Sequence, residues 1–204
     1  NHTRTMKNSS VILCTGGIGS GKSYVVKVFN ALGIPSYDAD SNTKRLYDTD
    51  NVLLERINAI AGGDVVKDGV LQRAAFAAKI FSDPQMLAKV EAVVHPAVAT
   101  DFLKWKEMQQ SDIVLMESAI LLEKPLLLPI IDHVLVVHAP KEIRIERVMA
   151  RDNVSRERVL QRISNQWSDS RRLEMADFSI ETNDRDSIIA KVMEIIKIIR
   201  DGKR

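Results

Sequence analysis

The sequence predicts an α/β fold, a parallel sheet covered by helices. Three observations predict it. Short, continuously apolar runs recur along the chain, as in strands buried on both faces. Helical apolar spacings separate them, and strand–helix alternation signals parallel pairing. A glycine-rich octapeptide, GGIGSGKS at 16–23, joins the first run to the first helix.

The elements follow in order. Val11-Ile12-Leu13-Cys14 is the first strand. After the octapeptide, Val25, Val26, Val28, Phe29 and Leu32 recur at helical spacing until Gly33, a stop signal. Ile34–Tyr37 is the second strand and leads into Asp38. From Asp40 to Gln110 no strand is expected: Leu46–Leu54, Val70–Ile80 and Met86–Trp105 all carry helical patterns. Ile113–Met116 then leads into Glu117, His133–His138 into Pro140, and Phe178–Glu181 into Asn183. Ile188–Ile199 reads as a closing helix. The expected division is a core of 6–39 and 111–204 with an inserted helical lobe at 40–110. Ligands of parallel sheets bind at the carboxyl ends of the strands, so Asp38, Glu117 and Asn183 are placed to act.

Composition bounds the possibilities. The chain has 204 residues, 45% apolar and 27% charged, which suits one globular domain carrying an insertion. A net charge of +2 gives no strong pull towards nucleic acid or membrane. The longest apolar region, Ile113 to Ile131, is interrupted by Glu117, Glu123, Lys124 and two prolines, so no membrane span is expected. The single Cys14 excludes an internal disulfide, suits a reducing cytoplasm, and reads as a small buried hydrophobe. Met6 reads as the native start, with residues 1–5 as a remnant outside the fold and no secretory signal.

The octapeptide carries the clearest chemistry. It fits G-x-x-x-x-G-K-[ST], the phosphate-binding P-loop pattern. Glycines let the backbone curl so that N–H groups of Gly17, Ile18, Gly19, Ser20 and Gly21 face phosphate oxygens. The following helix adds its positive dipole end. Lys22 would reach the β- and γ-phosphates, and Ser23 would ligate Mg²⁺. ATP as donor and Mg²⁺ as metal follow from this reading.

An acceptor needs further groups. Asp38-Ala39-Asp40 sets two carboxylates either side of one alanine at the end of the second strand. One could face the nucleotide and the other take a hydroxyl proton, although Asp40 could equally be a helix N-cap. Glu117 closes its strand as a metal-side acid would; Glu123 has less local support. Residues 141–172 carry eight arginines. Arg144, Arg147 and Arg151 share a helix face, and such a run is ordinarily solvated. An arginine closing over transferring phosphate is nonetheless a recurring device, so Arg147 and Arg151 are candidates within a lid at 141–168. His95, before Pro96, reads as a helix-boundary histidine. His133 and His138 are expected to have no chemical role, and no cluster has zinc-ligand spacing.

With these residues in view, the chain resembles the dephospho-CoA kinases from about Ile12 to Asn183. The matching elements are TGGIGSGKS at 15–23, DAD at 38–40, IFSDPQMLAKVEAVVHP at 80–96 and ESAILLE at 117–123. RVMARDNVSRERVLQRISNQ at 147–166 and ADFSIETN at 176–183 complete them. The resemblance implies a nucleoside-monophosphate-kinase-like P-loop fold: a five-stranded parallel core, a helical CoA-binding lobe and a helical lid. It implies cytoplasmic transfer of phosphate from Mg·ATP to the ribose 3′-hydroxyl of dephospho-CoA, the last step of coenzyme A synthesis. No nucleic-acid or membrane partner is implied.

By the same resemblance, Asp40 is the base, acting with Lys22 and Arg151. Arg147 and Arg151 sit on ATP, with Gln166 and Asn183 on the nucleotide side. Asp38, Arg73, His95 and Glu117 belong to the acceptor side. Two departures stand out. The region YDTDNVLLERINAIAGGD lacks the Pro-Gly and Phe-Gly pairs common in the family, and Ala119-Ile120-Leu121 replaces a Pro-Leu-Leu. The alternatives are another P-loop small-molecule or nucleoside monophosphate kinase, or a nucleotide-dependent switch. The switch expects a guanine-specifying N-K-x-D after a late strand, where this chain has His138-Ala139-Pro140-Lys141.

Overall fold

A computed structural model describes residues 8–119, 121–123, 125–183 and 186–202. Residues 1–5 and Met6, and Ile120 of the Ala119–Leu121 segment, lie outside the described residues. β1 (Ser10–Thr15) runs into the glycine-rich loop, and α1 (Lys22–Ala31) starts where the loop ends. β2 (Ser36–Asp38) is followed by α2 (Ala39–Thr49) and α3 (Asn51–Ile60). A hairpin of β3 (Val66–Lys67) and β4 (Val70–Leu71) precedes α4 (Arg73–Ser82) and α5 (Pro84–Glu107). The chain continues through β5 (Ile113–Glu117), two short 3₁₀ turns and β6 (His133–His138). α6 (Lys141–Asp152), α7 (Arg156–Ser164) and α8 (Asp169–Glu174) lead to β7 (Phe178–Glu181) and α9 (Asp186–Asp201).

Two compact units result: residues through Tyr37 with those from Gln109 onward, and Asp38–Met108. The first holds a five-stranded parallel sheet in the order β2-β5-β1-β6-β7. β1 is central, pairing Leu13 with Met116 on one side and with Val134 on the other. Every residue of β1 is buried, as a strand covered on both faces requires. Alternation sends Ile12 and Cys14 to one face, where they join Val25, Val26 and Phe29 of α1 and Ile188, Val192 and Ile195 of α9. Leu32, expected on this apolar stripe, falls beyond the end of α1 and is exposed.

The second unit is built around α5, whose 24 residues span about 36 Å at the α-helical rise. Val90, Val94, Val98 and Phe102 form its buried stripe at three- and four-residue spacing. Asp83 caps its start, accepting from the N–H groups of Gln85 and Met86, with Pro84 at the first helical position.

Four expectations for this unit are corrected. The pattern at 46–54 is two helices, because Asp50 leaves helical geometry and caps α3 by accepting from Leu53 N–H at 3.0 Å. The region is not free of strand: Val66–Lys67 pairs antiparallel with Val70–Leu71. Asp68 (φ 52°) and Gly69 (φ 75°) form the two-residue left-handed turn that Asp-Gly favours. The helix expected from Val70 therefore begins at Arg73. His95-Pro96 is no boundary, since α5 runs through Pro96; packing overrides the lost N–H donor.

No described helix is long and apolar enough to cross a membrane. Cys14 is fully buried, and its thiol is pushed up to about 12 by that burial; Lys22 opposes the shift and Glu117 adds to it. A thiol so far above neutrality stays protonated. The folded protein should therefore resist a chromogenic disulfide reagent at pH 8 and release one equivalent after unfolding in guanidinium. Rapid labelling of the folded protein would contradict the described packing.

Candidate active site

The loop between β1 and α1 is shaped by what its glycines lack. Gly19 (φ 76°) and Gly21 (φ 88°) are left-handed, where a side chain is strained. Close neighbours fill the space as well. A Cβ on Gly16 would lie 2.5 Å from the Val137 carbonyl oxygen, and one on Gly21 2.9 Å from Thr182 Oγ1. Gly21 occupies the N-cap of α1 and supplies no side-chain acceptor, and the first turn holds no acidic residue. The N–H groups and positive dipole end of α1 are left for an external anion.

Not every loop N–H is available. Ile18 N–H donates to Gln166 Oε1 at 2.9 Å, and Ser20 N–H to the Gly17 carbonyl at 3.1 Å. The N–H groups of Ile18 and Ser20 are thus engaged within the loop and its support. Among the described residues, no hydrogen bond takes the N–H of Gly19 or Gly21. Those of Lys22 and Ser23 lie in the first turn, without an intrahelical acceptor. Ser23 is exposed. Lys22 Nζ lies 3.8 Å from Glu117 Oε1, a loose ion pair at the carboxyl end of β5 with both side chains 17% exposed.

The outer side of the loop is held by α6. Arg144 Nε donates to the Ile18 carbonyl at 2.9 Å. Arg147 Nη1 donates to the Gly19 carbonyl at 3.2 Å and to Thr182 Oγ1 at 2.8 Å, while its Nη2 reaches the Thr182 carbonyl at 2.8 Å. The Thr182 hydroxyl donates in turn to the Ser20 carbonyl. Ile18 packs against Ile145, Val148 and Val159. The arginine run is therefore not uniformly solvated: Arg144 is 4% exposed. Arg147 is tied to loop backbone in this conformation. Arg151 is exposed and pairs with Asp152, which also binds Arg162 of α7. These arginines, Arg151 first, pull the Asp152 carboxyl down to about 2.

A second layer lies behind Gly17. Arg172, 1% exposed, donates to the Trp167 carbonyl at 2.8 Å and faces Asp169 at 3.5 Å and Glu123 at 3.6 Å. Burial pushes its guanidinium down from the ordinary value, against Asp169 and Glu123. Glu123 also accepts from Trp167 N–H at 2.9 Å, and Arg171 stacks on the Trp167 ring at 3.7 Å.

The remaining candidates divide between the units. Asn183 follows β7, exposed, next to Thr182. In the second unit the cap of α2 is Asp38, not Asp40. Asp38 Oδ1 accepts from the N–H groups of Asp40 at 3.0 Å and Ser41 at 3.2 Å. Asp40 is exposed on the first turn of α2. Arg73 opens α4 and pairs with Asp48 at 3.2 Å. His95 is half-buried in mid-α5. Sequence reasoning missed Arg144, Thr182, Asp169 and Arg172 as loop supports. One signal was present: Arg144 and Val148 are four residues apart, on one helix face, and Val148 is apolar.

Comparison with known proteins places this arrangement. The profile of the family described as "Dephospho-CoA kinase" matches residues 10–187. The dephospho-CoA kinase of Porphyromonas gingivalis is 38% identical over 187 residues, covering 91% of this chain and 92% of that protein. The Bacteroides fragilis protein of the same name is 35% identical over 186 residues, with 91% and 90% covered. Among solved structures, TT1252 from Thermus thermophilus superposes with a TM-score of 0.81 at 32% identity, covering 94% of this chain and 97% of that one. Shikimate kinase from Acinetobacter baumannii shares the fold alone, with a TM-score of 0.53 at 19% identity and 98% of each chain covered. A glycine-walled loop opening on an uncapped helix, with its lysine against the acid that ends β5, thus sits in a chain that belongs to the dephospho-CoA kinase family.

Proposed function

We propose that this protein transfers the γ-phosphoryl group of ATP to the 3′-hydroxyl of the ribose of dephospho-CoA, giving CoA and ADP in the cytoplasm. The observation that carries the donor half is the N-terminus of α1. Its first-turn donors, the free Gly19 and Gly21 N–H groups and the Lys22 ammonium converge where a triphosphate would lie. The acceptor half rests on family membership and on Asp40, an exposed carboxylate just after the end of β2.

Mg²⁺ fits these residues as a weakly held partner of the nucleotide. Among the described residues no group of three His, Cys, Asp or Glu could cage a metal. Mg²⁺ in kinases needs few protein ligands, keeping waters and taking phosphate oxygens. The exposed Ser23 hydroxyl would hold it, and Glu117 is the acid that would complement its charge. When bound, it neutralises charge on the β- and γ-phosphates.

The chain's own residues do the rest. Lys22 exchanges its loose contact with Glu117 for a phosphate oxygen and stabilises charge spreading over the γ-phosphate. Asp40 accepts the proton of the attacking hydroxyl. Asp38 holds the first turn of α2 by its cap, which fixes the position of Asp40 in that turn. Arg151 is the arginine free to leave a surface pair and close on the phosphates, because exposed pairs of this kind are weak. Arg147 and Gln166 act through the loop backbone, and Asn183 edges the nucleotide. Arg73 and His95 serve the acceptor.

A coupled assay with Mg·ATP should yield ADP and CoA from dephospho-CoA, with no comparable turnover of AMP, CMP or pantothenate. Preference for AMP would make the protein a nucleoside monophosphate kinase instead. Asp40→Asn should lower kcat by roughly 10²–10⁴ while the KM for ATP changes little, the signature of a lost general base. Near-normal turnover in that variant would leave Asp40 without a chemical role. Lys22→Ala should weaken both ATP use and kcat.

A further inference from the structure

Gly17 is pressed by two buried cations. A Cβ there would collide with Arg144 Nη2, and would lie 2.9 Å from Arg144 Cζ and 3.1 Å from Arg172 Nη1. Two anions answer them: Asp169 Oδ2 lies 3.3 Å from Arg144 Nη1, and Asp169 and Glu123 both face Arg172. Arg144 Nη2 is buried without a hydrogen-bond acceptor.

This is an expensive way to fill space. Buried ion pairs are weak evidence for stability, because well-packed apolar residues often do as well or better. The partners of Arg144 are the Ile18 carbonyl and the Asp169 carboxylate, which an aliphatic side chain would leave without a donor. A guanidinium there must therefore supply something an aliphatic side chain cannot.

What it supplies is a direction. Arg144 Nε holds the Ile18 carbonyl on the outer side of the loop. In a trans peptide the C=O and N–H point opposite ways, so the same bond turns Gly19 N–H inward. Arg147 holds the next carbonyl, that of Gly19, whose peptide N–H, on Ser20, closes on the Gly17 carbonyl. A cation on the carbonyl also polarises the peptide and strengthens its N–H as a donor.

Resting on the nucleotide reading above, we propose that Arg144 is a positioning residue for phosphate binding. It acts through the Ile18–Gly19 peptide, with Asp169, Arg172 and Glu123 holding it in place. Affinity for a nucleotide then depends on Arg144 in proportion to the phosphates that reach the loop. Lysine cannot replace it, because one ammonium does not reproduce the planar fork that reaches Ile18 O and Asp169 together.

The test is calorimetric titration of Arg144→Lys and Arg144→Gln with ATP, ADP, AMP and dephospho-CoA, alongside steady-state kinetics and thermal melting. Losing a hydrogen bond to a charged group should weaken ATP and ADP about tenfold or more. Binding of AMP and the KM for dephospho-CoA should change little, which a general loss of stability would not produce. Gly17→Ala should show the same pattern by displacing Arg144. The Gly17→Ala/Arg144→Gln pair should then lose less than the sum of the single changes. If the glutamine variant does not fold, the lysine variant carries the comparison. Unchanged ATP affinity in the lysine variant overturns the proposal, as does an equal loss for all four ligands. A parent protein that binds no ATP overturns the nucleotide reading, and this proposal with it.

Discussion

The first unit depends on how closely the 16–21 backbone is approached by its neighbours. The loop touches a carbonyl of β6, the Arg144 guanidinium, the backbone of α6 and the Thr182 side chain, each closer than a Cβ would allow, with the Arg172 guanidinium just beyond. Removing side chains from the loop lets four other elements define its path. That path leaves N–H groups of the loop and of the first turn of α1 exposed to whatever anion arrives.

The charges around it are arranged on two levels. Arg144 and Arg172 are buried and face Asp169 and Glu123, so the supporting layer is electrically neutral. Lys22 is paired more loosely, at 3.8 Å from Glu117, and Arg151 holds Asp152 out at the surface. Those are the cations that can change partners at low cost when a polyanion binds. Supports are fixed by desolvation, whereas ligand-facing groups keep access to water.

The sheet was legible because its three central strands, β1, β5 and β6, are continuous apolar runs, a pattern a parallel sheet demands and few other contexts tolerate. The phosphate loop was legible because its function restricts residue type at fixed spacing. The helical unit was read less well. A single Asp50 both ends α2 and starts α3, and hydropathy does not register a cap. The β3–β4 hairpin has two residues per strand, too few for periodicity, and only Asp68-Gly69 signalled it. The buried supports escaped for a different reason. Arginine in a basic run is ordinarily solvated, and only its partners 25 to 126 residues away make Arg144 an interior residue. Such pairing belongs to tertiary structure and leaves no local trace.

The same long-range supports set an order of assembly. Thr182 reaches Ser20 across 162 positions, Gln166 reaches Ile18 across 148, and Arg144 reaches Ile18 across 126. β1 and the loop precede, by more than a hundred residues, the segments whose contacts shape the loop. Closing such separations is slow and must await synthesis of the distant segment. A nascent chain ending before α6 would carry the complete phosphate-binding sequence without the arginines that hold its carbonyls outward. Nucleotide binding is in this sense a late event, one that waits for these distant segments to fold against the loop.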